Sequence, residues 1–227
     1  MSQVFDADVI VVGSGALGSN AAFELAKQGK SVIILEAGES IPRWKIVENF
    51  RNSSNKSNYN SPYPNEPWAR HSYDEQYIEN IGSFEFRPGM LKLVGGTTWH
   101  WAAACWRYLP NDMKLNTLYG VGRDWPMEYS ELEPYYARAE VALGVCGSDT
   151  QDQSGHDGEA FPPRSTPYPM PPEGDTYLFQ RLRARLAPAG YVFLHEPNGR
   201  ATTPYDDRPA CSGNNNCMPV CPIGAMY

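Results

Sequence analysis

Three short segments carry residue types at spacings that could do chemistry. The first is Gly13-Ser14-Gly15-Ala16-Leu17-Gly18, a G-x-G-x-x-G run, with Glu36-Ala37-Gly38 following further along. In such a run the first glycine permits a tight turn, the second lets a pyrophosphate approach the backbone, and the third lets a helix lie close on a strand. The N–H groups at the helix start then face the phosphates. Glu36 would accept hydrogen bonds from ribose hydroxyls and would repel a 2′-phosphate, which favours FAD or NAD over NADP. The second segment is Val94-Gly95-Gly96-Thr97-Thr98-Trp99-His100-Trp101, where a double glycine before hydroxyl residues can turn consecutive N–H groups toward an anion or a flavin edge. A packed turn with a satisfied histidine is the plainer reading of the same residues. The third is Cys211-x5-Cys217-x3-Cys221-Pro222. Three thiolates on one loop suit a [3Fe-4S] cluster. Zinc would want a fourth cysteine or histidine, and a disulfide with a spare thiol is the remaining alternative.

The elements that must position these groups are partly legible. Residues 7–12 form a short apolar run, the glycine motif opens a helical pattern through Gln28, Gly29 closes it, and residues 31–35 read as a β-branched strand. A lone G-x-G-x-x-G is a weak signal, but here strand, helix, second strand and acid fall where a βαβ unit wants them. Residues 42–88 show no sustained period and are expected to run over the surface as a long excursion. Ala102, Ala103 and Ala104 behind the second motif point to close packing. Ser130 and Glu133 form the pattern of a capping box before a helix with Leu132, Tyr136, Ala139 and Leu143 on one face, ending at Gly144. Residues 149–175 are Pro- and Gly-rich loop, and a last helix is expected over 176–186.

The expected fold is α/β, a Rossmann-like FAD-binding domain with long loop excursions. Only two parallel-type strands are visible, too few for a complete doubly wound sheet, so the chain reads as an incomplete, amino-terminal part of such a domain. Within it, residues 1–40 form the dinucleotide-binding unit, 90–105 the second flavin-contacting motif and 205–227 the cysteine cluster.

Composition bounds the partners. The 227 residues are 41% apolar and 20% charged with a formal net charge of −7, so neither nucleic acid nor an anionic membrane surface would be attracted. No stretch reaches the roughly 18 consecutive apolar residues of a membrane span, and the start MSQVFDADVIVV has no basic signal-peptide region. Cys105 and Cys146 sit in apolar segments and read as buried thiols. Trp99, Trp101, Trp106 and Trp125 read mainly as core, though aromatic faces also suit sugar rings. His71, His156 and His195 lie in loop-like segments and are expected at the solvated surface.

The segments ADVIVVGSGALGSNAAFELAKQGKSVIILEAG, VGGTTWHWAAACWRYLPNDMKL, YGVGRDWP and CSGNNNCMPVCPIGAMY together resemble the flavoprotein subunit of bacterial membrane-bound sugar and sugar-acid dehydrogenases. That group, which includes gluconate 2-dehydrogenase, FAD-dependent glucose dehydrogenase and fructose dehydrogenase, lies within the glucose-methanol-choline (GMC) oxidoreductases. The resemblance implies FAD held by Gly13, Gly15, Ala16, Gly18, Glu36, Ala37, Gly95, Gly96, Thr97, Thr98, His100 and Trp101. In several relatives a histidine at the position of His100 is bonded to the flavin, and a covalent bond or a plain contact both stay open here. The resemblance also implies a [3Fe-4S] cluster on Cys211, Cys217 and Cys221, although several relatives carry Cys-Cys where this chain has Cys211-Ser212.

The implied activity is oxidation of a hydroxyl on a sugar or sugar acid by hydride transfer to flavin, with electrons leaving through the cluster to a cytochrome c or quinone. The implied partners are a small export subunit and a multihaem cytochrome c subunit, at the periplasmic face of the inner membrane; without a partner the location would be cytoplasmic. Catalytic residues are expected beyond residue 227, and the chain by itself is expected to be inactive. Two other readings compete: a nicotinamide-dependent oxidoreductase, which would show no flavin spectrum, and a non-enzymatic iron–sulfur electron-transfer module, which would hold iron and sulfide without flavin.

Overall fold

The computed structural model describes residues 5–52, 81–84, 93–99, 101–150, 162–213, 217 and 221–226. They divide between two compact units, one of residues 1–102 with 214–222 and one of residues 103–213 with 223–227.

In the first unit the expected βαβ start is present. Strand β1 (Val9–Val12) leads into helix α1 (Ala16–Lys27), and the chain returns as strand β2 (Val32–Leu35). The strands pair in parallel with Val9 opposite Val32 and Val12 opposite Leu35. Parallel pairing requires a crossover, and α1 supplies it. The strand starts are fastened by side chains: Asp8 accepts from both the N–H and the hydroxyl of Ser31 at 2.9 Å. Those bonds hold the Asp8 carboxyl below its ordinary range.

Two features differ from the sequence reading in this unit. The presumed excursion after Pro42 begins with helix α2 (Arg43–Asn52). Its polar, Asn-rich composition hides a helix that is anchored by contacts rather than by an apolar stripe. Arg43 donates to the Cys221 carbonyl at 2.7 Å and stacks over the Trp99 ring. The second motif forms a single 3₁₀ turn over Gly96–Trp99. It is attached to the segment after β2, since the Val94 N–H donates to the Glu39 carbonyl at 3.0 Å.

The second unit holds helices α3 (Leu115–Tyr119), α4 (Tyr129–Leu143) and α5 (Tyr177–Leu186). Helix α4 does not start on a Ser130–Glu133 box. The Glu131 carboxylate reaches back to the Glu128 N–H at 2.8 Å, so capping lies two residues earlier. Glu133 is drawn off by Arg107 and Ser165. Gly144 closes α4 in the left-handed region, as the sequence suggested. The Thr176 hydroxyl caps α5 by accepting from the Phe179 N–H. The core gathers Cys146, Met170 and Ala201, with Tyr205 packed against them. Its backbone is pinned by reciprocal bonds between Cys146 and Asn198 at 2.8 and 2.9 Å.

A buried ionic cluster crosses this unit. Arg107, whose side chain is 2% exposed, forks onto both oxygens of Glu140 at 2.7 and 2.8 Å and reaches Glu133 at 2.9 Å. Arg164 forks onto the same Glu140 from the other side at 3.0 and 2.7 Å and lies 3.5 Å from the centre of the Tyr168 ring. Two cations and two carboxylates balance, which is what allows four charges to leave water. Ala103 is fully buried, in line with close packing behind the second motif, whereas Ala104 is exposed. Trp106 and Trp125 are 51% and 43% exposed, so neither is the core residue its type suggested. His195 is not a solvated surface residue either: its Nε2 lies 3.2 Å from Asp175, and its ring rests against Phe179. His71 and His156 lie outside the described residues.

Candidate functional site

The glycine motif forms the turn between β1 and α1. Gly13 has φ of +93°, a conformation that costs an L side chain and that places the turn directly over the end of β1. Gly15 caps α1 with extended backbone and no side-chain bond, so the helix's first-turn N–H groups stay available to the cleft they line. A methyl added at Gly15 would meet nothing within 4 Å. At Gly18 the opposite holds, because a Cβ there would collide with the Gly13 carbonyl oxygen and press on Val11 Cγ1 at 3.3 Å. The three glycines thus divide as turn, open approach and close packing.

This turn forms one wall of a cleft of about 390 Å³, lined by Val12, Gly13 and residues 15–18 and, across from them, by Thr97, Thr98 and Trp101. Two segments about eighty positions apart in sequence therefore face one space, large enough for part of a dinucleotide. Gly95 and Gly96 behave differently from expectation. The Gly96 N–H donates to the Leu93 carbonyl at 2.8 Å and the Gly95 N–H to the Ser14 hydroxyl at 3.2 Å, so these two amides do not stand open to an anion. The Thr98 hydroxyl donates to the Gly95 carbonyl at 2.6 Å and the Trp99 indole to the Val94 carbonyl at 2.9 Å, which stiffens the turn. His100 lies outside the described residues.

Glu36 directly follows β2, beside the glycine turn. Its Oε2 accepts from the Ser14 N–H at 2.8 Å and the Ser14 hydroxyl at 2.6 Å, and its Oε1 accepts from the Gly38 N–H at 2.7 Å. The Ser14 hydroxyl, followed by the Ser14 N–H, holds the carboxyl below its ordinary value and keeps it ionised. Ala37 beside it is exposed. Ser14 is the residue the sequence reading missed. The available signal was a hydroxyl between the two turn glycines, ahead of an acid at the end of the next strand.

Among the described residues no disulfide joins the five cysteines. Cys211 belongs to the second unit, and Cys217 and Cys221 to the first. Among the described residues no group of three or more His, Cys, Asp or Glu side chains is placed to hold a metal ion. The donor types fit an iron–sulfur cluster, and thiolates repel one another until a metal neutralises them. Cys146 is buried and Cys105 half-buried, and burial first of all pushes both thiols up to about 11. Both are therefore expected to alkylate with iodoacetamide at pH 8 roughly a hundredfold more slowly in the folded protein than in urea. Peptide mass spectrometry over a time course reads this, and equal folded and unfolded rates would contradict the burial.

Comparison with known proteins follows the same lines as the cleft. The family described as FAD dependent oxidoreductase matches residues 8–75, which contain the glycine turn, α1, β2 and Glu36. The fructose dehydrogenase large subunit of Gluconobacter japonicus is 45% identical over 235 aligned residues, covering 100% of this chain and 42% of that protein. Over residues 8–75 the chain is similar to the FAD-dependent oxidoreductases. Its resemblance to GMC-type flavoprotein subunits is shown by that relative together with the gluconate 2-dehydrogenase flavoprotein of Pantoea cypripedii, 24% identical over 87% of this chain and 36% of that protein. The paromamine 6′-oxidase of Streptomyces fradiae is 30% identical over 96% of this chain and 36% of its own length. The chain spans about two fifths of the length of the curated relatives it matches. The matched residues include the parallel βαβ unit of β1, α1 and β2, an arrangement that a Rossmann-like fold contains. Among the described residues no helix is long and apolar enough to cross a membrane.

Proposed function

We propose that the whole protein oxidises a hydroxyl group of a sugar or sugar acid, using FAD held in the cleft between the glycine turn and the Thr97–Thr98–Trp101 wall. The observation that carries this reading is the cleft itself: a dinucleotide-binding turn and a second segment line one space and are bonded to each other through Ser14. The room in front of Gly15 accommodates a pyrophosphate, and Glu36 stands where ribose hydroxyls would be received. Bound FAD would supply acceptance of a hydride from a carbon bearing a hydroxyl. This chain's residues bind and orient: α1 offers its N–H groups, Glu36 holds the adenosine end, and Thr97, Thr98 and Trp101 stand on the opposite wall. His100, in that same segment, is the proposed tether or contact of the flavin. The sugar class is supported by the printed activities of the fructose and gluconate dehydrogenase relatives.

The finer parts of the reading concern the electrons. Cys211, Cys217 and Cys221 are proposed as ligands of a [3Fe-4S] cluster, supported by their thiol state and spacing. The cluster would pass electrons to a cytochrome c or quinone. A small export subunit and a multihaem cytochrome subunit are the proposed partners, at the periplasmic face of the inner membrane; the large-subunit description of the fructose dehydrogenase relative supports an assembly of several chains.

The test is an absorption spectrum of the full-length protein after acid precipitation, with iron and sulfide assayed on the same sample. Flavin in the pellet with about three irons per chain is expected for a tethered flavin and a [3Fe-4S] cluster. Flavin in the supernatant removes the tether. Iron that appears only when partner subunits are present moves the cluster off this chain, and absence of flavin overturns the reading as a whole.

A further inference from the structure

We propose that Ser14 is a positioning residue that couples the adenosine end of the cofactor site to the opposite wall of the cleft. The proposal rests on the FAD reading above. The Ser14 hydroxyl donates to Glu36 Oε2 at 2.6 Å and accepts from the Gly95 N–H at 3.2 Å, while the Ser14 N–H also donates to Glu36 at 2.8 Å. A hydroxyl carries one proton and two lone pairs, so one small side chain can give to a carboxylate and take from an amide at once. Alanine can do neither, and an acidic side chain would accept from Gly95 but repel Glu36.

The two groups it joins have different places in the site. Glu36 directly follows β2, where the adenosine half of a dinucleotide would lie in the FAD reading. Gly95 begins the turn that carries Thr97 and Thr98 into the cleft. On its other side the Ser14 carbonyl accepts from the Ser19 hydroxyl at 2.8 Å, which fixes Ser14 to the first turns of α1. The Val94–Glu39 backbone bond holds the second wall to the chain after β2, and the Ser14 hydroxyl ties it to the glycine turn itself, its acceptor being the same carboxylate that would receive the ribose. An isolated structural bond would serve the glycine turn alone, whereas this one acts on a segment about eighty residues away.

The experiment uses the full-length protein carrying His100→Ala, so that binding stays reversible, expressed under riboflavin limitation. FAD and ADP are titrated into it with and without Ser14→Ala. ADP reaches the glycine turn and Glu36 but has no flavin to meet the second wall. Ser14→Ala is expected to weaken both ligands through Glu36 and to weaken FAD roughly fivefold more than ADP, the size of the lost Gly95 bond, which only the larger ligand senses. Equal losses for the two ligands would assign Ser14 a local structural role and overturn the coupling. If Ser14→Ala does not fold, Ser14→Cys, which keeps the size with a weak donor, is compared in the same way and decides on the same criterion. A parent protein that binds NAD and not FAD overturns instead the cofactor reading beneath it.

Discussion

Replacing Arg107 by alanine is expected to destabilise the second unit by about 3 kcal/mol, because it leaves buried carboxylates short of their cation. Glu140 is 7% exposed and accepts both arms of the Arg107 fork. Arg164 remains on it, but Glu133 loses its charged partner at 2.9 Å and keeps only the Ser165 donors. Tyr129 also loses the guanidinium that donates to its hydroxyl at 3.1 Å. Lysine at the same position does not restore the arrangement, since an ammonium cannot fork across two oxygens. Urea unfolding of the full-length protein, followed by tryptophan fluorescence, measures the loss. A shift of the midpoint worth less than about 1 kcal/mol would show that the cluster is solvated in solution.

The same cluster gives a pH dependence with a definite sign. Burial alone would raise the Glu140 carboxyl, but the hydrogen bonds from Arg107 and Arg164 outweigh it and leave it below the ordinary value of 4.5. Glu133 is likewise lowered, burial again being outweighed, here by the Ser165 N–H and Arg107. A carboxyl whose folded value is depressed contributes stability that is present above its unfolded value and is lost as pH falls toward the folded one. Acid unfolding of the second unit is therefore expected below pH 4.5. In the Arg107→Ala protein part of that dependence should disappear.

The second large effect is expected at Gly18. Valine there would drive its Cβ into the Gly13 carbonyl and Val11, and backbone cannot move aside as the end of a flexible side chain can. Either α1 lifts off β1 or the glycine turn opens, at a cost of about 1–3 kcal/mol for overpacking, with FAD content falling below roughly a tenth of wild type. Gly15→Ala separates the two effects. Its added methyl meets nothing within 4 Å, so stability is expected to change little while FAD binding falls, because the methyl occupies the room a pyrophosphate needs. Thermal unfolding and flavin content, measured on both variants, check this. Loss of stability at Gly15 as large as at Gly18 would contradict the division of roles.

The βαβ start of the first unit was legible because its determinants are local. The alternation of apolar runs with Gly13, Gly15, Gly18 and Gly29 places β1, α1 and β2 within a residue or two of the observed bounds. Thr176 before an amphipathic stretch likewise marks α5, and Gly144 marks the end of α4. Helix α2 escaped detection because its sequence, RWKIVENFRN, has no broad apolar stripe and owes its place to Arg43 meeting the Cys221 carbonyl far along the chain. The start of α4 was misplaced for a related reason: Glu133 has the right spacing to cap but a stronger partner in Arg107.

What the sequence determined by itself is the βαβ unit, the glycine turn and the resemblance to FAD-dependent oxidoreductases, since these depend on short-range spacing and on glycines whose missing side chains are visible in one dimension. Tertiary structure alone decided that Thr97, Thr98 and Trp101 face the glycine turn across one cleft, that the Gly95 amide is taken by Ser14, and that Arg107, Glu133, Glu140 and Arg164 form one buried cluster. Each of these joins residues at least two dozen positions apart, and periodicity carries no information about which distant polar group will satisfy another. The chain's backbone closes that distance, and hydrogen bonding in a water-poor interior then selects the partner.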